Sequence, residues 1–302
     1  MYKMEKIVPL IGPMVTGPLG VMHLPRMWYK GVLSAAGLLP DVYFDNYKGF
    51  NQRVCDAIGL DPEPWFAFLK TMPTYAQAET YVKDHATKLT PAAVAELNTL
   101  IATFPRPEEN AAGVRARVGL DDPSYNISAN LIDVDDWHSI HEELIAHKDD
   151  KPEPLIPMVS SAESGPAGIA HLPRLWMKAL LNAVGALHPE WKTGNVCGFD
   201  NRLAKTIGLD IDETSAYIKA ELPDYLTFEK WVLGKIPTPD AASKAEWTKG
   251  FMAMEKPVEM GAAERAECGI ADDSVTGTIV LNDLVDWKYM HDYVTSQRAA
   301  AV

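Results

Sequence analysis

The chain has 302 residues, 47% of them apolar, which is enough to bury one or two domain cores and too many for a disordered chain. Its formal charge is −13 and no long basic run offsets the negative field, which argues against a nucleic-acid backbone or an anionic membrane as the main partner. Cys55, Cys197 and Cys268 have no metal-type spacing, and as an odd, unpatterned set they suit a reducing cytoplasm better than a disulfide framework.

In chain order, Met1 to Thr16 holds a short apolar stretch broken by Pro9, Gly12 and Pro13. No apolar run approaches the roughly 18 residues that span a bilayer, so the expected location is the cytoplasm. Leu24-Pro25 places proline in the first turn of a helix, for which Gly37 is the exit. Thr74-Tyr75-Ala76-Gln77 has capping-box spacing, and Thr90-Pro91 joins an N-cap oxygen to a proline at the first helical position. These signals predict helices over 24–37, 49–59, 63–71, 75–88, 91–104, 107–118 and 134–147. Alternating β-branched runs are scarce, so the expected class is mainly α.

Four blocks then recur in the same order. Gly17 to Lys30 returns as Gly165 to Lys178, and Gly49-Phe50-Asn51-Gln52-Arg53 as Gly198-Phe199-Asp200-Asn201-Arg202. Pro73 and Tyr75 through Val82 return as Pro223 and Tyr225 through Val232, and Asp133, Asp136, Trp137 and His141 as Asp283, Asp286, Trp287 and His291. The period matches a whole domain rather than a solenoid unit. The expected organisation is a first repeat domain over 1–147, a linker over 148–156 and a second repeat domain over 157–302, packed about a pseudo-two-fold axis.

The first block carries the most chemistry. His23 and His171 precede helices whose first turns hold Arg26 or Arg174, with Lys30 or Lys178 four residues later on the same face. Cations oppose the helix dipole at that end, so a carboxylate or phosphate is the expected occupant, with Trp28 or Trp176 as an apolar wall. The same residues also suit a structural role, the arginines paired with Asp136 or Asp286 and the histidines capping their helices. Asp200 stands where the first half has Asn51, so proton chemistry is expected in the second half, unless Asp200 is simply an N-cap. Asp135, His138 and His141 share one helix, but Lys288 replaces His138 in the other half, and no metal site is expected. No Walker loop, dinucleotide fingerprint, nucleophile elbow or Cys-x-x-Cys pair occurs, and no cofactor is expected.

The block Gly-x-x-His-Leu-Pro-Arg-x-x-x-Lys, followed by Gly-Phe-Asp-x-Arg and Gly-x-Asp, resembles the bacterial family known as domain of unknown function 5069. The resemblance covers nearly all of both halves and is most specific over Val21 to Lys30, Ala170 to Lys178 and Gly198 to Asp210. It implies a small domain of this length and carries no activity. The family's acidic residue before the lysine is replaced here by Tyr29 and Met177. The leading expectation is a cofactor-independent isomerase, lyase or hydrolase acting on a small organic anion. Arg174, Lys178, Arg26, Lys30, Trp28 and Trp176 would bind the substrate, and His171, Asp200 and His23 would move protons. The alternative is a non-catalytic anion-binding or interaction protein.

Overall fold

A computed structural model describes residues 2–150, 152–237 and 240–301, the side chains of the last three excepted. In chain order the helices are α1 (Leu24–Ala35), α2 (Gly49–Ile58), α3 (Pro62–Leu69), α4 (Tyr75–His85), α5 (Pro91–Thr103), α6 (Glu108–Val118) and α7 (Ser128–Ala146). They continue as α8 (Leu172–Ala183), α9 (Gly198–Ile207), α10 (Ile211–Glu221), α11 (Tyr225–Lys235), α12 (Ala241–Met252), α13 (Val258–Cys268) and α14 (Thr278–Ala301). Among the described residues extended pairing is confined to isolated bridges, so the class is all-α. None of these helices is long and apolar enough to cross a membrane.

The start signals act as their chemistry requires. Thr74 accepts from the Gln77 N–H while Gln77 accepts from the Thr74 N–H, completing the capping box of α4. Thr90 accepts from the Ala93 N–H at the start of α5. Gly37, at φ 75°, takes the left-handed step after α1 that a residue with a Cβ adopts only at a cost. α7 begins at Ser128 rather than near 134.

The chain divides into two compact units that are not its linear halves. The α1 unit comprises Glu5–Pro105, Ile127–Ala129 and Met254–Val302, so α13 and α14 pack with α1 to α5. The α8 unit comprises Met1–Met4, Arg106–Asn126 and Asn130–Ala253, so α6 and nearly all of α7 pack with α8 to α12. The bases of the two hairpins are clamped alike. Ser128 N donates to Phe104 O at 2.9 Å, and Thr278 N donates to Met254 O at 2.8 Å. Residues 152–156 of the expected linker are not free either, because Pro152 bridges to Tyr2 and Leu155 to Leu187.

In each unit the helix carrying the recurring motif lies at the centre. Every residue of α1 from Leu24 to Leu33 is buried, as is every residue of α8 from Leu172 to Leu181, including both arginines and both lysines. α1 packs on α2, α3, α4 and α14, and α8 on α10 and α11.

Candidate functional site

In the α8 unit, His171 ends the loop before α8 in a left-handed conformation, φ 73°, with no side-chain cap. That backbone turns its ring inward rather than onto the helix end, so the capping role does not hold. His171 Nε2 lies 2.9 Å from Asp200 Oδ1, and its Nδ1 lies 3.0 Å from Ser161 Oγ. Lys178 Nζ donates to the same Asp200 oxygen at 2.6 Å, to Lys192 O at 3.2 Å and to Cys197 Sγ at 3.1 Å. The other oxygen, Asp200 Oδ2, accepts from Gly194 N at 2.9 Å. Asp200 sits inside the first turn of α9, whose N-cap is Cys197, so the N-cap role does not hold for it.

The protonation states follow from burial and partners. Burial alone would raise the Asp200 carboxyl, but the Lys178 ammonium and His171 overcome that and hold it well below the usual carboxylate range. Burial lowers His171 to about 4 against the opposing pull of Asp200, so the ring is neutral at physiological pH. An ionised carboxylate only accepts, so His171 donates through Nε2 and its Nδ1 accepts from the Ser161 hydroxyl. The network is a Lys–Asp ion pair with a neutral imidazole attached. Phe199 and Phe251 pack around the ring with centroids 5.7 and 5.3 Å away.

The α1 unit builds the parallel arrangement with an amide. His23 Nε2 lies 3.0 Å from Asn51 Oδ1, to which Lys30 Nζ also donates at 3.0 Å. Asn51 Nδ2 donates to Phe44 O at 3.3 Å and to Asn46 O at 2.8 Å. His23 Nδ1 is buried without a partner; the first half has Pro13 at the step where Ser161 stands in the second. Burial, with Lys30 and Arg26 nearby, drives the His23 pKa well down.

The arginines answer the helix dipole in a way the sequence does not reveal. Arg174 Nη1 donates to Pro157 O at 2.8 Å and to Val159 O at 2.7 Å. Arg26 Nη1 donates likewise to Pro9 O and to Ile11 O, the latter at 2.9 Å. Main-chain carbonyls of the segment before each helix therefore take the place expected for a bound anion. Trp28 and Trp176 are buried, and each Nε1 donates to a carbonyl, Pro73 O at 2.8 Å and Pro223 O at 2.9 Å. They are core residues, not walls of an open pocket. Tyr29 and Met177, each directly before the motif lysine, are buried as well.

The residues on α7 do not converge. Asp135 accepts from Arg117 at 2.5 Å, His138 Nε2 lies 3.6 Å from Glu142, and His141 Nε2 donates to Leu222 O at 2.9 Å. Among the described residues no three His, Cys, Asp or Glu side chains come together as metal ligands.

Sequence reasoning missed Ser161 and Cys197, which lack matching residues in the first half. It also missed the buried Glu79 and Glu229, although Tyr75-x-x-x-Glu79 and Tyr225-x-x-x-Glu229 recur at helical spacing. Burial raises both carboxyls. A Cβ at Gly17 would lie 2.6 Å from Glu79 Oε1 and one at Gly165 would lie 2.5 Å from Glu229 Oε1, which explains the glycine that opens each first block.

The α1 unit also carries an accessible concave surface. An open groove of about 710 Å³ runs along α3 and α4 to Gly269. Its lining includes Phe68, Tyr81 and His85, which form a stacked ladder with centroid spacings of 4.4 and 4.0 Å, and the polar Thr74, Gln77 and Asp84. Comparison with protein-family models, curated proteins and solved structures finds no match for the chain.

Proposed function

We propose that this chain is a non-catalytic ligand-binding protein made of two diverged copies of one helical domain. The His–Arg–Lys motif builds the core of each unit, and the groove along α3 and α4 receives the ligand. The observation that carries this reading is the burial of the best acid–base pair: the His171 and Asp200 side chains are 0% exposed. Proton transfer requires a group within hydrogen-bond reach of its substrate, and no substrate atom reaches this pair while the loop over 188–197 covers it. Duplication is supported by matched bonds in the two units, from the arginine–carbonyl pairs to the tryptophan–carbonyl pairs. The stacked rings beside Thr74, Gln77 and Asp84 favour a small ring-bearing molecule with hydrogen-bonding groups.

A panel of aromatic and sugar fragments, followed by ligand-observed NMR, tests the groove. Fragments that bind the wild type should lose their signal with Tyr81→Ala while that variant remains folded. In parallel, phosphate and citrate should leave Tm unchanged. Fragment binding that survives Tyr81→Ala would remove the groove from the reading. Stabilisation by either anion that disappears in Arg174→Lys would restore the anion site and the catalytic reading with it.

A further inference from the structure

The three cysteines differ in surroundings. Cys55 is buried and Cys268 partly so, and burial pushes both thiols up to about 12. Cys197 is half-buried at the N-cap of α9, where its side chain makes no cap hydrogen bond. Its sulfur instead receives a hydrogen bond from Lys178 Nζ at 3.1 Å. Lys178 is itself only 3% exposed, and its ammonium also donates to Asp200 at 2.6 Å. A nitrogen and a sulfur are thus held in van der Waals contact, within a pair whose cysteine is only half-buried. The first half has Lys48 at the matching position, so the pair is confined to the α8 unit.

We propose that Cys197 and Lys178 form a peroxide-driven covalent cross-link. In the first step the Cys197 sulfur attacks a hydroperoxide, the O–O bond breaks, and the thiol becomes a sulfenic acid while the peroxide, if hydrogen peroxide, is reduced to water. In the second step Lys178 first gives up one ammonium proton, and the freed nitrogen lone pair attacks that sulfur, so that the S–N bond forms and the S–O bond breaks. A second proton leaves the nitrogen with the hydroxide as water. The product is a sulfenamide with two fewer hydrogens than the separate thiol and amine. Sulfur is oxidised by two electrons and the peroxide accepts them. Reduction by an added thiol reverses the link, because the attacking sulfur displaces the nitrogen. The bond would fasten α8 to the N-cap of α9 and withdraw the cation from Asp200, so the buried network would change with the redox state around it.

The full chain is treated with hydrogen peroxide, digested with trypsin and analysed by tandem mass spectrometry. The expected result is a joined pair of peptides containing Lys178 and Cys197, lighter than their sum by two hydrogens, uncleaved after Lys178, and separated again by dithiothreitol. The link should fall by about tenfold or more when peroxide is added to urea-unfolded protein, because the contact supplies the effective concentration. It should be absent from Cys197→Ser, whose half-exposed position tolerates the change. Lys178→Arg is expected to leave Cys197 as a simple sulfenic or sulfinic acid; should that variant not fold, the urea comparison on the wild type carries the same information. Folded wild type in which Cys197 gains oxygen or joins another cysteine, with no bond to Lys178, would overturn the proposal. So would equal linkage in folded and unfolded protein.

Discussion

Asp200 turns its second oxygen to the N–H of Gly194, whereas Asn51 turns its amide nitrogen to the carbonyls of Phe44 and Asn46. The difference between the halves thus has a local electrostatic basis: each side chain matches the polarity of the loop that covers it. Asp200→Asn would strand the Lys178 ammonium and face an amide N–H₂ with a backbone N–H, at a cost of about 3–5 kcal/mol, the scale for breaking a buried ion pair. Asn51→Asp would set a carboxylate oxygen against two carbonyls in place of two hydrogen bonds, and should cost about 1–3 kcal/mol. Urea unfolding of both variants checks this. A stabilising Asn51→Asp would mean that Lys30 outweighs the loop. The histidine and glutamate shifts also predict pH dependences of opposite sign. A histidine lowered from 6.5 to about 4 contributes stability that is intact above 6.5 and lost as the pH falls toward 4. A raised glutamate contributes stability that is complete below its ordinary value of 4.5 and lost as the pH rises through the shifted one. The advantage of wild type over His171→Gln should therefore shrink on acidification by up to about 1.4 kcal/mol per pH unit, whereas its advantage over Glu229→Gln should grow. Parallel unfolding curves across that range for all three proteins would contradict both assignments.

Between α3 and α4, and again between α10 and α11, the chain turns through a left-handed residue followed by proline: Met72 at φ 58° and Leu222 at φ 45°. Side chains with a Cβ adopt this conformation at a cost, and here two rings hold each turn in place. His291 Nε2 donates to Met72 O at 3.0 Å and Trp28 Nε1 to Pro73 O, while His141 and Trp176 do the same for Leu222 and Pro223. The histidine comes from the terminal helix of one linear half and the turn from the other half, so the His141 and His291 that recur in the last block are docking residues. How much of this the sequence discloses depends on the range of the signal. Caps and first-turn prolines act within a few residues, and α1 to α6 accordingly begin within a residue or two of their predicted starts. The start of α7 lacks such a signal, since Ser128 to Asp133 become helical through the burial of Ala129 and Leu131. The clustering of His171, Lys178 and Asp200 was legible because the two blocks that carry them recur in the same order, with Asn51 at the place of Asp200. Their burial was not, because Arg174 and Lys178 on one face look like an exposed stripe until carbonyls and a carboxylate from distant segments meet them.

For the whole molecule, the route of the chain matters more than the number of its helices. Leaving the α1 unit at Pro105, it gives α6 and α7 to the α8 unit, and it returns at Met254 to give α13 and α14 to the α1 unit. Each unit is therefore completed by the hairpin of the other linear half, and Trp28 and Tyr75 meet Trp287 only through that exchange, with ring centroids 6.3 and 4.5 Å apart. A cut at 148–156, where the sequence suggests independent domains, would leave α8 to α12 without α6 and α7, and α13 to α14 without α1 to α5. The exposed surfaces would include Tyr225 and Trp176 in the second half, both buried in the intact chain and in ring contact with Trp137 and His141 of α7. Because α8 carries the same sequence motif as α1 and the two hairpin bases are clamped by the same kind of bond, the α13–α14 hairpin of one copy of 157–302 is expected to cover α8 to α11 of another, as exchange of an identical element between protomers generally allows. Residues 157–302 expressed alone should accordingly sediment as a dimer at high concentration, and on dilution lose helical circular dichroism together with mass. Folding back within one copy is opposed by the segment Ala253 to Pro257, which the Lys256 N to Thr276 O and Thr278 N to Met254 O bonds hold extended into the hairpin. A monomer that keeps its full helical signal on dilution would show that the hairpin does fold back and that the linear half is a domain in its own right.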